Sequence, residues 1–213
     1  MMQEKDSADH LPTLFPPARF GLVENGVYRS AVLRPPNFAY VKQLRLRTVV
    51  RLSPEVPNKY ITAFYEENGV RIIHLGLKAL EISKERVASN ATETNTLLTE
   101  EVVKEALEII LDARHHPLLL VCSSGCHHTG IVVACLRKLL DYNLTSILQE
   151  YRDYALSNTR AINEQFIELF DTDLVTLPPE ERLPSWFLDW RRMKGEEEEE
   201  AEASINHGVT IQH

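Results

Sequence analysis

The sequence predicts an α/β fold with a central, mostly parallel sheet flanked by helices. Short β-branched or apolar runs alternate with helical patterns: Thr48 to Leu52, a helix, Val70 to Leu75, a helix, then Leu118 to Val121 and another helix. That alternation is the mark of βα units. The run Leu118-Leu119-Leu120-Val121 follows Pro117 and contains no polar residue, as a strand buried on both faces requires. The 213 residues are 44% apolar, enough for one sizeable core, and no apolar run approaches the ~18 residues of a membrane span.

Each element follows in order. Residues 1–14 are mixed and polar and are expected to be disordered. Asn25-Gly26 is a turn signal ahead of a short strand, within Val23-Glu24-Asn25-Gly26-Val27-Tyr28-Arg29-Ser30. Pro35-Pro36-Asn37 starts a helix reaching Leu44, and the strand from Thr48 to Leu52 runs out in Ser53-Pro54-Glu55. Residues 58–68 read as a helix with Tyr60, Ile61, Phe64 and Tyr65 on one side, closed by Asn68-Gly69 before the strand Val70 to Leu75. Residues 77–98 are rich in Thr, Asn, Ser and Glu and read as a long mobile loop.

Thr99-Glu100-Glu101 opens the next helix, with Thr99 as N-cap and acids in the first turn. Val102, Val103, Ala106, Leu107, Ile109, Ile110 and Ala113 supply its buried side. After the strand at Leu118, helices are expected from Thr129 to Asp141, from Leu144 to Tyr151 and from Phe166 to Phe170. Leu183 to Trp190 holds both tryptophans of the chain. An appended helix packed on the domain is the simpler reading, and a partner-docking segment the sharper one.

Composition excludes some classes. The polar N-terminus, which carries acids, gives no signal-peptide pattern. Three cysteines, Cys122, Cys126 and Cys135, suit a reducing compartment better than a disulfide framework, so a cytoplasmic location is expected. Six glutamates lie in residues 195–213, an acidic tail without Lys or Arg, and removing them from the net charge of −8 leaves −2. A near-neutral body does not suit nucleic acid.

The chemistry lies in Cys122-Ser123-Ser124-Gly125-Cys126-His127-His128-Thr129-Gly130. A cysteine leaving a buried strand, a Gly-containing loop and a helix start together form an anion site. N–H groups converge there, and the positive end of the helix dipole favours a thiolate. The stretch resembles the phosphate loop of cysteine-dependent phosphatases, which reads Cys, five residues, Arg, then Ser or Thr. More closely, the chain resembles the plant and fungal atypical dual-specificity phosphatases, whose loop reads His-Cys-Lys-x-Gly-Lys-His-Arg-Thr-Gly. Cys122, Gly125, His127, Thr129 and Gly130 match. Val121 stands where that family has His, Ser123 and Cys126 where it has Lys, and His128 where it has Arg.

Further matches are the Gly-x-Tyr-Arg-Ser segment at Gly26, Asn37-Phe38, the approach Leu111-Asp112-Ala113-Arg114-His115-His116-Pro117, Leu144-Thr145-Ser146-Ile147 and Phe166-Ile167-Glu168-Leu169-Phe170. The resemblance covers residues 15–171. It implies a cysteine-phosphatase, protein tyrosine phosphatase-like fold over that span. Beyond the resemblance, a C-terminal extension over 172–194 and an acidic, disordered tail over 195–213 are expected.

It also implies roles. Cys122 is the nucleophile, and Thr129 hydrogen-bonds its thiolate. Ser123, Ser124, Gly125, Cys126, His127 and Gly130 line the phosphate. His128 stands where a bidentate guanidinium would stabilise the transition state, a task for which a short, largely neutral imidazole is poorly suited. The family's general-acid aspartate lies in the connection corresponding to 77–98, which here has no Asp. Its carboxylates, Glu81, Glu85 and Glu93, are most simply solvated loop acids. Arg137, Lys138, Arg152 and Arg160 are most simply surface residues of helices.

Two other readings of the cluster stay open. Cys122, Cys126, His127 and His128, with His115 and His116, are zinc-ligand types, although one tight loop rarely offers tetrahedral geometry. A Cys122–Cys126 disulfide is the other, against Cys126 as a small filler. Cys135 reads as a core residue. The function expected is that of a phosphatase-family protein with catalysis weakened or lost, acting as a binding or regulatory subunit. The alternative is an active phosphatase on phosphotyrosine or inositol pyrophosphates. No cofactor is expected. The partners admitted are a phosphoprotein or inositol phosphate ligand and a homo- or hetero-oligomer with related phosphatase-like proteins, with no nucleic acid and no membrane.

Overall fold

The computed structural model describes residues 13–78 and 98–196. Residues 1–12 and 197–213, where disorder was expected, and 79–97, with Glu81, Glu85 and Glu93, lie outside the described residues. Strands β1 (Gly21–Glu24) and β2 (Val27–Ala31) form an antiparallel hairpin. Its turn needs Gly26 at φ +77°, a left-handed conformation that glycine adopts without steric cost. With β3 (Thr48–Arg51), β4 (Arg71–His74) and β5 (Leu118–Cys122) they make one five-stranded sheet in the order β1-β2-β5-β3-β4. Every pairing except β1–β2 is parallel.

The central strand explains the two-sided apolar run. All five residues of β5 are buried. Leu118, Leu120 and Cys122 enter one core, and Leu119 and Val121 the other, because successive side chains alternate across a sheet. The second core is covered by α1 (Phe38–Gln43) and α2 (Lys59–Glu67). The first is covered by α3 (Glu100–Ile110), α4 (His127–Leu139), α5 (Leu144–Ala155) and α6 (Ala161–Leu169). Each fully buried leucine contributes about 2 kcal/mol by removing its surface from water.

Local sequence sets the element ends. Asn58 and Asn143 cap α2 and α5 by accepting the N–H groups of Tyr60 and Thr145. The helix expected from Pro35 begins as a 3-10 turn, Pro35–Asn37, closed by the Asn37 N–H on the Arg34 carbonyl. The strand expected through Leu75 stops at His74, and residues 75–78 are helical. Thr99 does precede α3, and its carbonyl accepts from Val102 and Val103. Its hydroxyl, expected to cap, is buried without a partner.

The segment after residue 171 packs on the first core. Leu183 and Phe187 are buried in it, with Trp186 and Trp190 against its edge. Phe187 meets the Trp190 ring at 5.2 Å, within a helix, α7, over 185–196. Among the described residues no helix is long and apolar enough to cross a membrane.

Asp112 ties this segment down. Buried between α3 and β5, it accepts from the Arg114 guanidinium and from Arg182. The Arg114 hydrogen bonds, against the opposing effect of burial and with Arg182 adding to them, hold its carboxyl well below the usual carboxylate range. A depressed carboxyl pKa stabilises the fold above the unfolded value, and that stability is lost as pH falls below about 4. Asp112→Asn is therefore expected to cost about 2 kcal/mol in urea unfolding at neutral pH. It should also flatten the acid limb of the stability profile.

Candidate functional site

The site forms at the carboxyl end of β5, the middle of the sheet, where ligands of open parallel sheets bind. Cys122 is the last residue of β5, and α4 begins five residues later at His127. Between them the chain curls on Gly125, whose φ of +70° is left-handed. The curl also presses the loop against β2: a Cβ on Gly125 would meet the Ala31 nitrogen at 2.6 Å and the Ser30 carbonyl carbon at 2.9 Å. Gly130 is held as tightly, since a Cβ there would meet the Tyr151 ring at 2.9 Å.

The loop points donors at the thiol. Gly125 N–H donates to the Cys122 Sγ at 3.2 Å. The first N–H groups of α4, those of His127, His128 and Thr129, have no acceptor within a helix by construction, and they carry the positive end of its dipole. Thr129, expected to bond the thiolate, is fully buried with its hydroxyl unpartnered, so the donor to sulfur is the Gly125 backbone and not this hydroxyl. Ser124 Oγ accepts from Cys126 N–H at 3.2 Å, and the Cys126 thiol reaches the Ser124 carbonyl at 3.6 Å. Cys122, Cys126 and Cys135 are all free and buried. Cys126 is thus an unbridged filler at the start of α4. Burial pushes the Cys135 thiol far above its ordinary range, in keeping with its core position.

The two histidines are held differently. His127 Nδ1 lies 3.3 Å from the Tyr151 hydroxyl, which accepts from Asn163 Nδ2 at 2.9 Å. Burial, then the Arg160 and Arg19 charges, lowers its pKa. His128 is half-buried in the first turn of α4, near the Leu52 carbonyl. Burial first, then His127 and Arg160, lowers its pKa against the Glu55 carboxylate and that carbonyl. Both imidazoles are neutral near pH 7.

Several residues that the sequence reading did not assign complete the site. Arg29, in β2, lies beneath the loop and donates from Nη2 to the Gly125 carbonyl at 3.4 Å. Its charge acts on both Cys122 and Cys126, and burial lowers its own pKa. Arg19 donates to the Tyr154 carbonyl at 2.8 Å and the Ser124 carbonyl at 3.3 Å. Glu55, on the loop after β3, accepts the Ser123 hydroxyl at 2.9 Å. The one signal in the sequence was a charged residue inside a strand pattern for Arg29, and a polar turn at a strand's carboxyl end for Glu55. Arg137, Lys138 and Arg152 are committed elsewhere, to Glu150, to the carbonyls of Glu168 and Phe170, and to Glu164. Arg160 alone of the four acts on the loop, through its field at His127 and His128. Among the described residues no group of three or more His, Cys, Asp or Glu side chains is placed to hold a metal ion.

A buried strand ending in a cysteine, a Gly-curled loop and a helix N-terminus define a cysteine-phosphatase site on a tyrosine-phosphatase-like fold. Residues 14–187 match the model of the tyrosine phosphatase family, and the chain belongs to that family. It is 41% identical over 171 residues to the Dictyostelium discoideum protein named "Probable tyrosine-protein phosphatase DG1060", covering 80% of this chain and 95% of that one. It is 39% identical over 164 residues to "Inositol diphosphatase DSP2" of Oryza sativa subsp. japonica, covering 77% and 75%. Among solved structures, the core catalytic domain of the PP-IP phosphatase Siw14 from S. cerevisiae, in complex with citrate, is similar with a TM-score of 0.65 and 30% identity. That match covers 76% of this chain and 90% of that one.

The curl of the loop is testable by a matched pair of substitutions. Gly69, also left-handed at φ +65°, has nothing within 4 Å of an added Cβ, so Gly69→Ala is expected to cost about 1 kcal/mol from the backbone alone. Gly125→Ala adds a clash with β2 and should cost at least twice as much in urea unfolding.

Proposed function

We propose that this chain is a phosphoryl-recognising member of the tyrosine phosphatase family that binds phosphate esters on the 122–130 loop and turns them over slowly. It would serve as a binding or regulatory subunit. The observation that carries this reading is His128 itself, half-buried in the first turn of α4 with its pKa lowered by burial, where the resembling loop has a guanidinium. A neutral imidazole has one N–H and one bare nitrogen. It therefore offers a phosphoryl oxygen at most one neutral donor in place of a charged, two-pronged fork.

The remaining parts support binding and the first chemical step. Cys122 Sγ is the attacking atom. The Gly125 N–H donates to it, and the buried Arg29 guanidinium lies beneath the loop. The loop and helix N–H groups hold the non-bridging oxygens. Position 128 supplies no cationic fork to the equatorial oxygens as charge develops in transfer, a contact worth roughly 3–4 kcal/mol, or hundreds- to thousandsfold in rate. The ligand class is a phosphate ester, from a phosphoprotein or an inositol phosphate. The relatives' names, which include both tyrosine-protein phosphatase and inositol diphosphatase, support that range.

The test is turnover of an aryl phosphate and of an inositol pyrophosphate by the full chain, beside Cys122→Ser and His128→Arg. Wild type is expected within about tenfold of Cys122→Ser, with His128→Arg gaining about a hundredfold. Fast turnover by wild type that vanishes in Cys122→Ser would establish an active phosphatase instead. Acid pH has a definite sign: protonating His128, whose pKa is lowered, supplies a second N–H, so residual turnover should rise below about pH 6. That rise should be absent in His128→Gln.

A further inference from the structure

We infer that Arg51 is a positioning residue of the phosphoryl site, one that takes the Glu55 carboxylate off the loop when an oxyanion enters. The inference rests on the phosphoryl-binding reading above and deepens it, since it states how the free loop is held and how a ligand opens it. In the free protein a loop donor is already committed to the chain's own anion. The hydroxyl of Ser123, the residue directly after Cys122, donates to Glu55 Oε2 at 2.9 Å. Burial raises the Glu55 carboxyl pKa, but its own backbone, Ser123, Ser53 and His128 lower it further, so it is ionised near pH 7. A phosphoryl group on the loop meets that carboxylate as a competitor for Ser123 and as a like charge.

Arg51 is placed to receive it. It ends β3 in register with Val121, the residue before Cys122, and Leu52 donates its N–H to the Val121 carbonyl at 2.8 Å. Only 2% of Arg51 is exposed. Its Nη2 donates to the Glu55 carbonyl at 3.1 Å. Its Nε and Nη1 are buried without an acceptor, and the buried Tyr65 hydroxyl, which shares its surroundings, has no partner either. The Glu55 carboxylate lies within the field of this guanidinium, yet its hydrogen bond goes to Ser123.

Those vacant donors say where the carboxylate goes. A buried nitrogen of a guanidinium without an acceptor is a standing cost, larger than for a neutral donor. Arg51 already holds the Glu55 backbone, and Pro54 and Pro57 restrict the chain on either side, so only the Glu55 side chain has to turn. The turn exchanges a neutral donor, the Ser123 hydroxyl, for a cationic one. It frees that hydroxyl for a phosphoryl oxygen and removes the like charge from beside it. Arg51 thus supports affinity without touching the ligand, and by the same route for a phosphate monoester or a polyphosphate.

Calorimetric titration of phenyl phosphate into the full chain, Arg51→Met, Glu55→Gln and the double variant tests the coupling. Arg51→Met alone is expected to weaken binding about tenfold, and Glu55→Gln alone to tighten it about threefold. In the Glu55→Gln background Arg51→Met should change binding by less than about twofold, because no carboxylate then needs a place. Equal losses in both backgrounds would make Arg51 a structural brace and overturn the inference. Should Arg51→Met not fold, NMR of the guanidinium N–H groups in the unsubstituted chain decides. Saturating inorganic phosphate is expected to shift the Arg51 Nε–H signal and slow its exchange with water. Loop amides that respond to phosphate while the Arg51 Nε–H does not would overturn the inference and leave phosphoryl recognition standing. If phosphate moves neither and phenyl phosphate binds no variant, phosphoryl recognition itself fails, and the inference falls with it.

Discussion

A guanidinium buried under the loop is the interaction on which the rest of the site depends. Arg29 is 1% exposed, and an unpaired ion at such a place costs several kcal/mol. It is accommodated by three partners. The Glu150 carboxylate lies 3.7 Å from Nη1, the Tyr154 ring lies 3.6 Å from the guanidinium carbon, and the Gly125 carbonyl accepts from Nη2. Two of these belong to α5 and the third to the loop. The docking of α5 and the curl at Gly125 are therefore conditions of burying the charge. Arg29 sits in β2, whose register puts Ala31 beside Cys122. The same strand thus delivers the cation and the backbone against which Gly125 closes.

That constraint spreads into the helices. α5 supplies Tyr151, whose ring closes on Gly130 and whose hydroxyl meets both His127 and Asn163. Asn163 comes from α6 and is itself buried. The loop is thus clamped from β2 below and from α5 and α6 behind, and its backbone amides are preorganised. Donors that are already oriented cost nothing to align when an anion arrives, which is the physical reason such loops bind oxyanions well. Nothing in this clamp involves His128.

What was legible in the sequence was whatever local pattern decides. The run at Leu118 to Val121 announced a two-sided strand, since every residue in it must be apolar. Asn25-Gly26 and Asn68-Gly69 marked chain reversals, because both glycines are left-handed. The helix expected from Thr129 starts two residues earlier, at His127. Cys126 already has helical dihedrals, φ −97° and ψ −67°, so the loop runs into the helix with no stop signal to read. The site was half legible. Cys122 and the glycines carry chemistry in the chain order itself, but Arg19, Arg29, Glu55 and Asn163 reach the loop from distant segments. Their roles depend on sheet order and helix docking, which periodicity does not encode. The Thr129 and Thr99 hydroxyls point the same way: type and position suggested a hydrogen bond, and tertiary packing left each without one.

Recognition and turnover place different demands on this loop, and here the demands fall on different residues. Ground-state binding of a phosphate ester needs fixed N–H groups and a helix terminus, which the clamp supplies. Acceleration needs interactions stronger in the transition state than in the bound ester, and in thiolate phosphoryl transfer those concentrate on the equatorial oxygens. Position 128 faces that second demand only. On the proposed reading, a neutral imidazole there weakens the differential contact while leaving the uniform one, so affinity survives as rate falls. On that reading, two residues of one short loop divide the work: Cys122 defines the reacting centre and His128 sets how fast it reacts.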